Sequence, residues 1–126
     1  MGSCHDNDLY NEMPQPIMEF VAQYFPNTAI QDFTHKGDSY HVVLKNGPGI
    51  TFGKDYKWLA INGYGMPLPQ VFLFDSLPPA LYVYLQETEN TDNVFAIERD
   101  VYGYSLMLLD NTLTYNNSTG RISEHN

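Results

Sequence analysis

The stretch Tyr40–Phe52, YHVVLKNGPGITF, decides the fold. Successive side chains of an extended strand alternate faces. Tyr40, Val42 and Leu44 therefore share one face, and His41, Val43 and Lys45 the other. Asn46-Gly47 is a hairpin turn signal, and the following Pro48-Gly49 predicts a loop longer than two residues. Ile50 and Phe52 return on the first face. A second version of this pattern, YSLMLLDNTLTY, stands at Tyr104–Tyr115 and turns on Asp110-Asn111.

Working outward from the hairpins, the two halves align over a long stretch. Displacing the chain by 64 positions, Tyr40 onto Tyr104, matches Pro14 with Pro78 and Ile17, Phe20 and Val21 with Leu81, Tyr84 and Leu85. Ile30 and Phe33 meet Val94 and Ile97, and Tyr40, Val42 and Leu44 meet Tyr104, Leu106 and Leu108. Apolar positions meet apolar positions at both the helical and the strand period, which reads as an internal repeat.

Ile17, Phe20, Val21 and Tyr24 lie on one helical face behind Pro14 and Pro16, and Phe25-Pro26-Asn27 stops the helix. Ile30 and Phe33, in a strand over 28–36, are three apart, a spacing that implies a bulge. A fourth strand falls at Trp58–Ile61. Residues 66–79, punctuated by prolines, form an extended or short helical connector. A second helix covers Leu81–Glu87, and strands follow near 94–100, 103–110, 112–116 and 120–124. The expected fold is α+β: a tandem repeat of a helix plus a four-stranded antiparallel meander, with the helices on one face of the sheet. Residues 1–12 read as a mobile acidic tail. Residues 13–126 form a single domain of two repeats, 13–65 and 66–126. A repeat of about 55 residues buries too little core to stand alone.

Composition narrows the function. The 126 residues carry a net charge of -9 with only six Lys and Arg, which disfavours nucleic acid and anionic membranes as partners. A basic partner or a divalent cation fits that charge. The single cysteine, Cys4, permits no internal disulfide. Placed after Gly2 and Ser3, it has two readings: the lipid-bearing residue of a bacterial lipoprotein, or a free thiol near a frayed terminus. Asp6, Asp8 and Glu12 have the alternate spacing of a calcium loop but lack its central Gly and later bidentate Glu. His35 and His41 flank the turn at 36–39 with Asp38 nearby. They are a candidate metal corner or a pair of exposed polar residues. No constellation for nucleophilic catalysis is present, so the expectation is a non-enzyme.

The helix behind Pro14, the stop at Tyr24-Phe25-Pro26 and the run Tyr40, Val42, Leu44, Asn46-Gly47, Phe52 and Trp58 together resemble the PepSY-like family. In the second half the matching residues are Ile97-Glu98, Gly103-Tyr104, Leu106, Leu108 and Tyr115. Asp110-Asn111 departs from the family's Asn-Gly, and the second helix has no Phe-Pro stop. The resemblance spans roughly 13–124. It implies a beta-lactamase-inhibitor-like fold and a periplasmic, non-enzymatic domain of a Gram-negative bacterium. Related PepSY domains stand in protease propeptides, which implies peptidase or hydrolase inhibition.

If Tyr40 and Tyr104 face the helices, then His41, Val43, Met107 and Leu109 face away from them. Met107 and Leu109 are apolar where solvent favours polar residues, which marks an interaction surface. The candidate partner-binding residues are His41, Val43, Met107 and Leu109, with Tyr56, Trp58 and Tyr64 as aromatic anchors, Trp58 having a core position as its other reading. The occupant is a protein partner, a second copy of the chain or the N-terminal tail, a face of no special role being the remaining reading. A membrane is reached only through a lipid on Cys4. No cofactor is expected, calcium being the one alternative.

Overall fold

The computed structural model describes residues 13–45 and 47–126. Helix α1 (Gln15–Tyr24) leads into four strands: β1 (Ile30–Lys36), β2 (Ser39–Leu44), β3 (Gly49–Phe52) and β4 (Trp58–Asn62). Helices α2 (Gln70–Ser76) and α3 (Pro79–Glu87) follow. The chain ends in β5 (Val94–Arg99), β6 (Gly103–Leu108), β7 (Thr112–Asn116) and β8 (Ile122–His125). The strands form one antiparallel sheet in chain order, β1 to β8. The sheet runs on through the β4–β5 junction although both helices are spliced in there. The expected connector at 66–79 is thus partly helical, as α2.

Each helix starts behind a proline held extended: Pro14 at ψ 141, Pro69 at ψ 133 and Pro78 at ψ 141. Proline's fixed φ suits the residue that turns a chain into a helix, and it has no N–H to leave unpaired there. Phe25 closes α1 by donating its N–H to the Val21 carbonyl at 2.8 Å. None of the helices is long and apolar enough to cross a membrane among the described residues.

All three helices pack on the same side of the sheet. Ile17 and Val21 of α1, Phe72 and Leu73 of α2, and Leu81 and Leu85 of α3 meet Val42, Ile50, Phe52, Ile61, Ile97 and Leu106. An aromatic knot centres on Phe72, whose ring meets Trp58 at 5.1 Å, Tyr24 at 5.4 Å and Phe20 at 5.7 Å, all edge-on. Edge-on contacts are the favoured geometry for aromatic pairs and add to the area they bury.

Three bulges set which residues face in. The pairing slips between Ile30 and Asp32 in β1 and between Val94 and Ala96 in β5. This lets Ile30 and Phe33, and Val94 and Ile97, turn inward despite a spacing of three. The third slip lies between the pairs Thr51–Ala60 and Phe52–Trp58, with Leu59 left over. Leu59 is exposed and Trp58 is buried at 5%. Trp58 is therefore a core residue, which removes it from the expected surface anchors. Over its inward ring lies the Arg99 guanidinium, 4.0 Å from the ring centre, with Arg99 Nε donating to the Trp58 carbonyl at 2.8 Å.

Candidate functional site

With all three helices on one side, the other face of the sheet is open among the described residues. Strand register makes its side chains countable. One row crosses all eight strands: Thr34, His41, Thr51, Ala60, Glu98, Ser105, Thr114 and Ser123. The next row is Asp32, Val43, Gly49, Asn62, Ala96, Met107, Thr112 and His125. Most of these side chains are short, so the middle of the face is shallowly hollowed. One hollow of about 340 Å³ lies over β2–β6, with Thr51, Ala60 and Ala96 among its lining and Val43, Tyr64 and Met107 at its sides. A larger one of about 730 Å³ lies at the β5–β8 end of the sheet, lined by Ser105, Thr114, Asn116 and Arg121 of this face and also by Arg99, Tyr104 and Tyr115 of the other. The two share Glu98 and Ser105.

His41, Val43, Tyr64, Met107 and Leu109 thus stand on or beside one surface. His41 Nδ1 is hydrogen-bonded to the Thr51 hydroxyl at 3.1 Å. Met107 is 56% and Leu109 71% exposed, Leu109 lying just past the end of β6. Tyr64 is held at the rim by local geometry. Its N–H donates to Asn62 Oδ1 at 2.8 Å, and its backbone is left-handed at φ 49. The ring packs closely on Gly49: a Cβ there would come within 3.2 Å of it, so a larger residue would push the ring outward. Gly63, beside it, is packed rather than loose: a Cβ there would strike the Met66 carbonyl at 2.0 Å.

Tyr56 is not part of this surface. It sits in the β3–β4 turn at φ 67 and packs against Tyr40, ring to ring at 5.3 Å, on the helix side. The proposed corner of His35 and His41 also fails. His41 pairs with Thr34 and points to the open face, whereas His35 stacks on Tyr40 at 4.2 Å on the other. Among the described residues no group of three or more His, Cys, Asp or Glu gathers as metal ligands would. Cys4, Asp6, Asp8 and Glu12 lie outside the described residues.

Glu98, Ala60 and Ala96 were not singled out from sequence. Their place on the open face follows from period-two counting along β4 and β5, but only once the bulges at Leu59 and Phe95 are located. A second exposed apolar group, Val71, Phe74 and Val83, lies on the outer side of the helices, with Phe74 edge-on to Tyr82 at 5.3 Å.

Three tyrosines have hydroxyls held above their ordinary value of 10.0, all on the helix side. For Tyr24 the first cause is burial, then its bond to Asp75 at 2.9 Å. For Tyr84 it is the hydrogen bond to Glu124 at 3.1 Å, which a carboxylate makes costly to ionise against. For Tyr40 it is the neighbouring hydroxyl of Tyr56. On the open face the two imidazoles each lie against a threonine hydroxyl, His41 against Thr51 and His125 against Thr114, both at 3.1 Å.

Solved structures share this architecture. A "putative periplasmic protein of unknown function" from Bacteroides vulgatus superposes with a TM-score of 0.78 at 24% identity, over 92% of this chain and 94% of its own. A "putative calcium-regulated periplasmic protein" from Bacteroides thetaiotaomicron gives 0.75 at 24% identity, over 92% of each chain. At that identity the likeness shows the fold. No curated protein matches the chain in sequence. The family model described as "Putative beta-lactamase-inhibitor-like, PepSY-like" matches residues 38–123, from just before β2 into the start of β8, and the chain belongs to that PepSY-like family.

Proposed function

We propose that the chain is a non-enzymatic binding module of the periplasm that holds a segment of another protein on its open sheet face. The observation that carries this reading is the uncovered pair of rows across eight strands, with Val43, Met107 and Tyr64 exposed around a hollow floored by short side chains. Exposed apolar side chains gathered around a hollow on an otherwise polar face point to a contact surface. The family's inhibitor-like description and the periplasmic naming of two structural relatives support the location and the class. In its narrower form the partner is a peptidase or other hydrolase that the module inhibits, and a lipid on Cys4 holds the module to the envelope.

The matching bulges at Ile30/Asp32 and Val94/Ala96 support a duplicated origin for the two halves. In that reading the second copy, with Met107 on β6 and Leu109 just past it exposed, took on the binding role.

The test is Met107→Asp, made alongside Val43→Asp. Both variants should keep the wild-type circular dichroism and melting temperature and lose a protein partner captured from Gram-negative envelope extract. Unfolding of both would show that the face is buried and would end this reading.

A second reading is calcium response through Asp6, Asp8 and Glu12. It has behind it the net charge of -9 and the naming of one structural relative. Titration calorimetry with millimolar calcium decides it, and absence of heat removes it.

A further inference from the structure

The open face carries one carboxylate at its centre. We propose that Glu98 is the anchor for a lysine or arginine side chain of an extended protein segment lying in the two hollows. This deepens the reading above and rests on it.

Glu98 stands where the two hollows meet. Its neighbours across the sheet are Ala60 on β4 and Ser105 on β6, and two residues back along its own strand is Ala96. None of these reaches over it, so the carboxylate stands clear of the floor. It is also uncommitted. Asp100 is occupied by the N–H groups of Tyr102 and Gly103, and Glu124 by Tyr84 and Asn111. Glu98 has no hydrogen bond or ion pair among the described residues. The guanidinium next to it in sequence, Arg99, points to the other side of the sheet and lies on Trp58.

The charge distribution selects the sign of the occupant. Over residues 13–65 four acids are balanced by four lysines. Over 66–126 eight acids face only Arg99 and Arg121. The half that contributes Glu98, Met107 and Leu109 is thus the strongly negative one. Its field draws cationic partners and repels anionic ones, and a charge pair at the hollow's centre sets register. The flanking chemistry is apolar on one side, at Val43 and Met107, and hydroxyl-rich on the other, at Ser105 and Thr114, with Arg121 of β7–β8 farther along the same hollow. A segment with one basic side chain between small apolar and hydroxyl residues fits that arrangement.

The experiment uses a dye-labelled peptide of alternating Val and Ser with one central Arg, read by fluorescence anisotropy. A twin peptide carries citrulline in place of Arg. The Arg peptide should bind the wild-type chain about tenfold or more tightly than its twin, the ratio for one charge-assisted hydrogen bond. Glu98→Gln, at unchanged melting temperature, should erase that ratio, and raised salt should shrink it. Equal binding of both peptides, untouched by Glu98→Gln, overturns the anchor and leaves the face standing if Met107→Asp still abolishes binding. Binding that survives Met107→Asp overturns the face itself, and so does no binding of either peptide. A dimer in sedimentation that Met107→Asp dissociates assigns the face to a second copy and overturns the proposal.

Discussion

The β2–β3 and β6–β7 hairpins bury the same inward pattern, Val42, Leu44 and Ile50 in the first and Leu106, Leu108 and Leu113 in the second. Their outward sides differ. On β2–β3 the polar groups serve each other, His41 with Thr51, and Tyr64 leans over Gly49. On β6–β7 Thr114 bonds to His125 Nε2 at 3.1 Å, while Met107, paired with Thr112, is 56% exposed. One backbone plan therefore carries different outward chemistry in its two halves: Val43 is 37% exposed against 56% at Met107, and Lys45 stands where the second copy has Leu109. Packing constrains the inward residues of both hairpins, while the outward ones are free to diverge, and function is sought where they have.

The largest expected break in this comparison is at the strand starts. β2 opens on Ser39 and β6 on Gly103. A Cβ on Gly103 would lie 1.7 Å from the Tyr115 carbonyl, a contact no side-chain shift can relieve. Gly103→Ala should cost more than about 2 kcal/mol in urea unfolding, or prevent folding, while Ser39→Ala stays within about 0.5 kcal/mol. Equal effects would mean that the two hairpin starts are interchangeable.

Next is the contrast between adjacent residues of β6. Leu106 is fully buried, and Leu106→Ala should lower stability by about 2–5 kcal/mol. Met107→Asp, one residue on and facing away, should move it by no more than about 0.5 kcal/mol. A large loss at Met107 would show that the bare face is covered.

The smallest effect separates the tyrosine ties. Tyr24 links α1 to Asp75 at the end of α2, and Tyr84 links α3 to Glu124 on the edge strand β8. Each hydroxyl titrates higher in the folded chain than the ordinary 10.0. Its contribution is therefore complete below pH 10 and is lost as pH rises through the raised value. Urea midpoints should hold level up to about pH 9 and fall beyond pH 10. Tyr84→Phe should flatten part of that fall, and so should Tyr24→Phe. An unchanged alkaline slope in both would show that neither tie contributes.

The helices, strands and inward hairpin rows were legible because their signals are periodic and local. The spacing of Ile30 and Phe33 even announced a bulge. Trp58 was not legible, because one leftover residue, Leu59, reverses the alternation and turns the ring inward. Tyr56 and His35 sit beside Tyr40 through a turn and a ring stack that no periodicity encodes. Glu98 was visible in the family motif but not as a site. Its importance comes from Ala60, which chain order separates widely from it and only the β4–β5 pairing brings alongside.

That pairing also bears on how the chain assembles. Seven strand junctions make up the sheet, and six of them close across a turn of a few residues. Such contacts form early, since little chain entropy is lost in closing short loops. The β4–β5 junction must bridge residues 63–93, helices included, before Ala60, Ile61 and Asn62 meet Glu98, Ile97 and Ala96. Joining two prebuilt meanders at this one distant seam is the expected slow step. Conservative truncations at Ile61 or Ile97 should then slow refolding, while Leu113→Ala should mainly speed unfolding; the reverse pattern in stopped-flow would place the nucleus inside a hairpin.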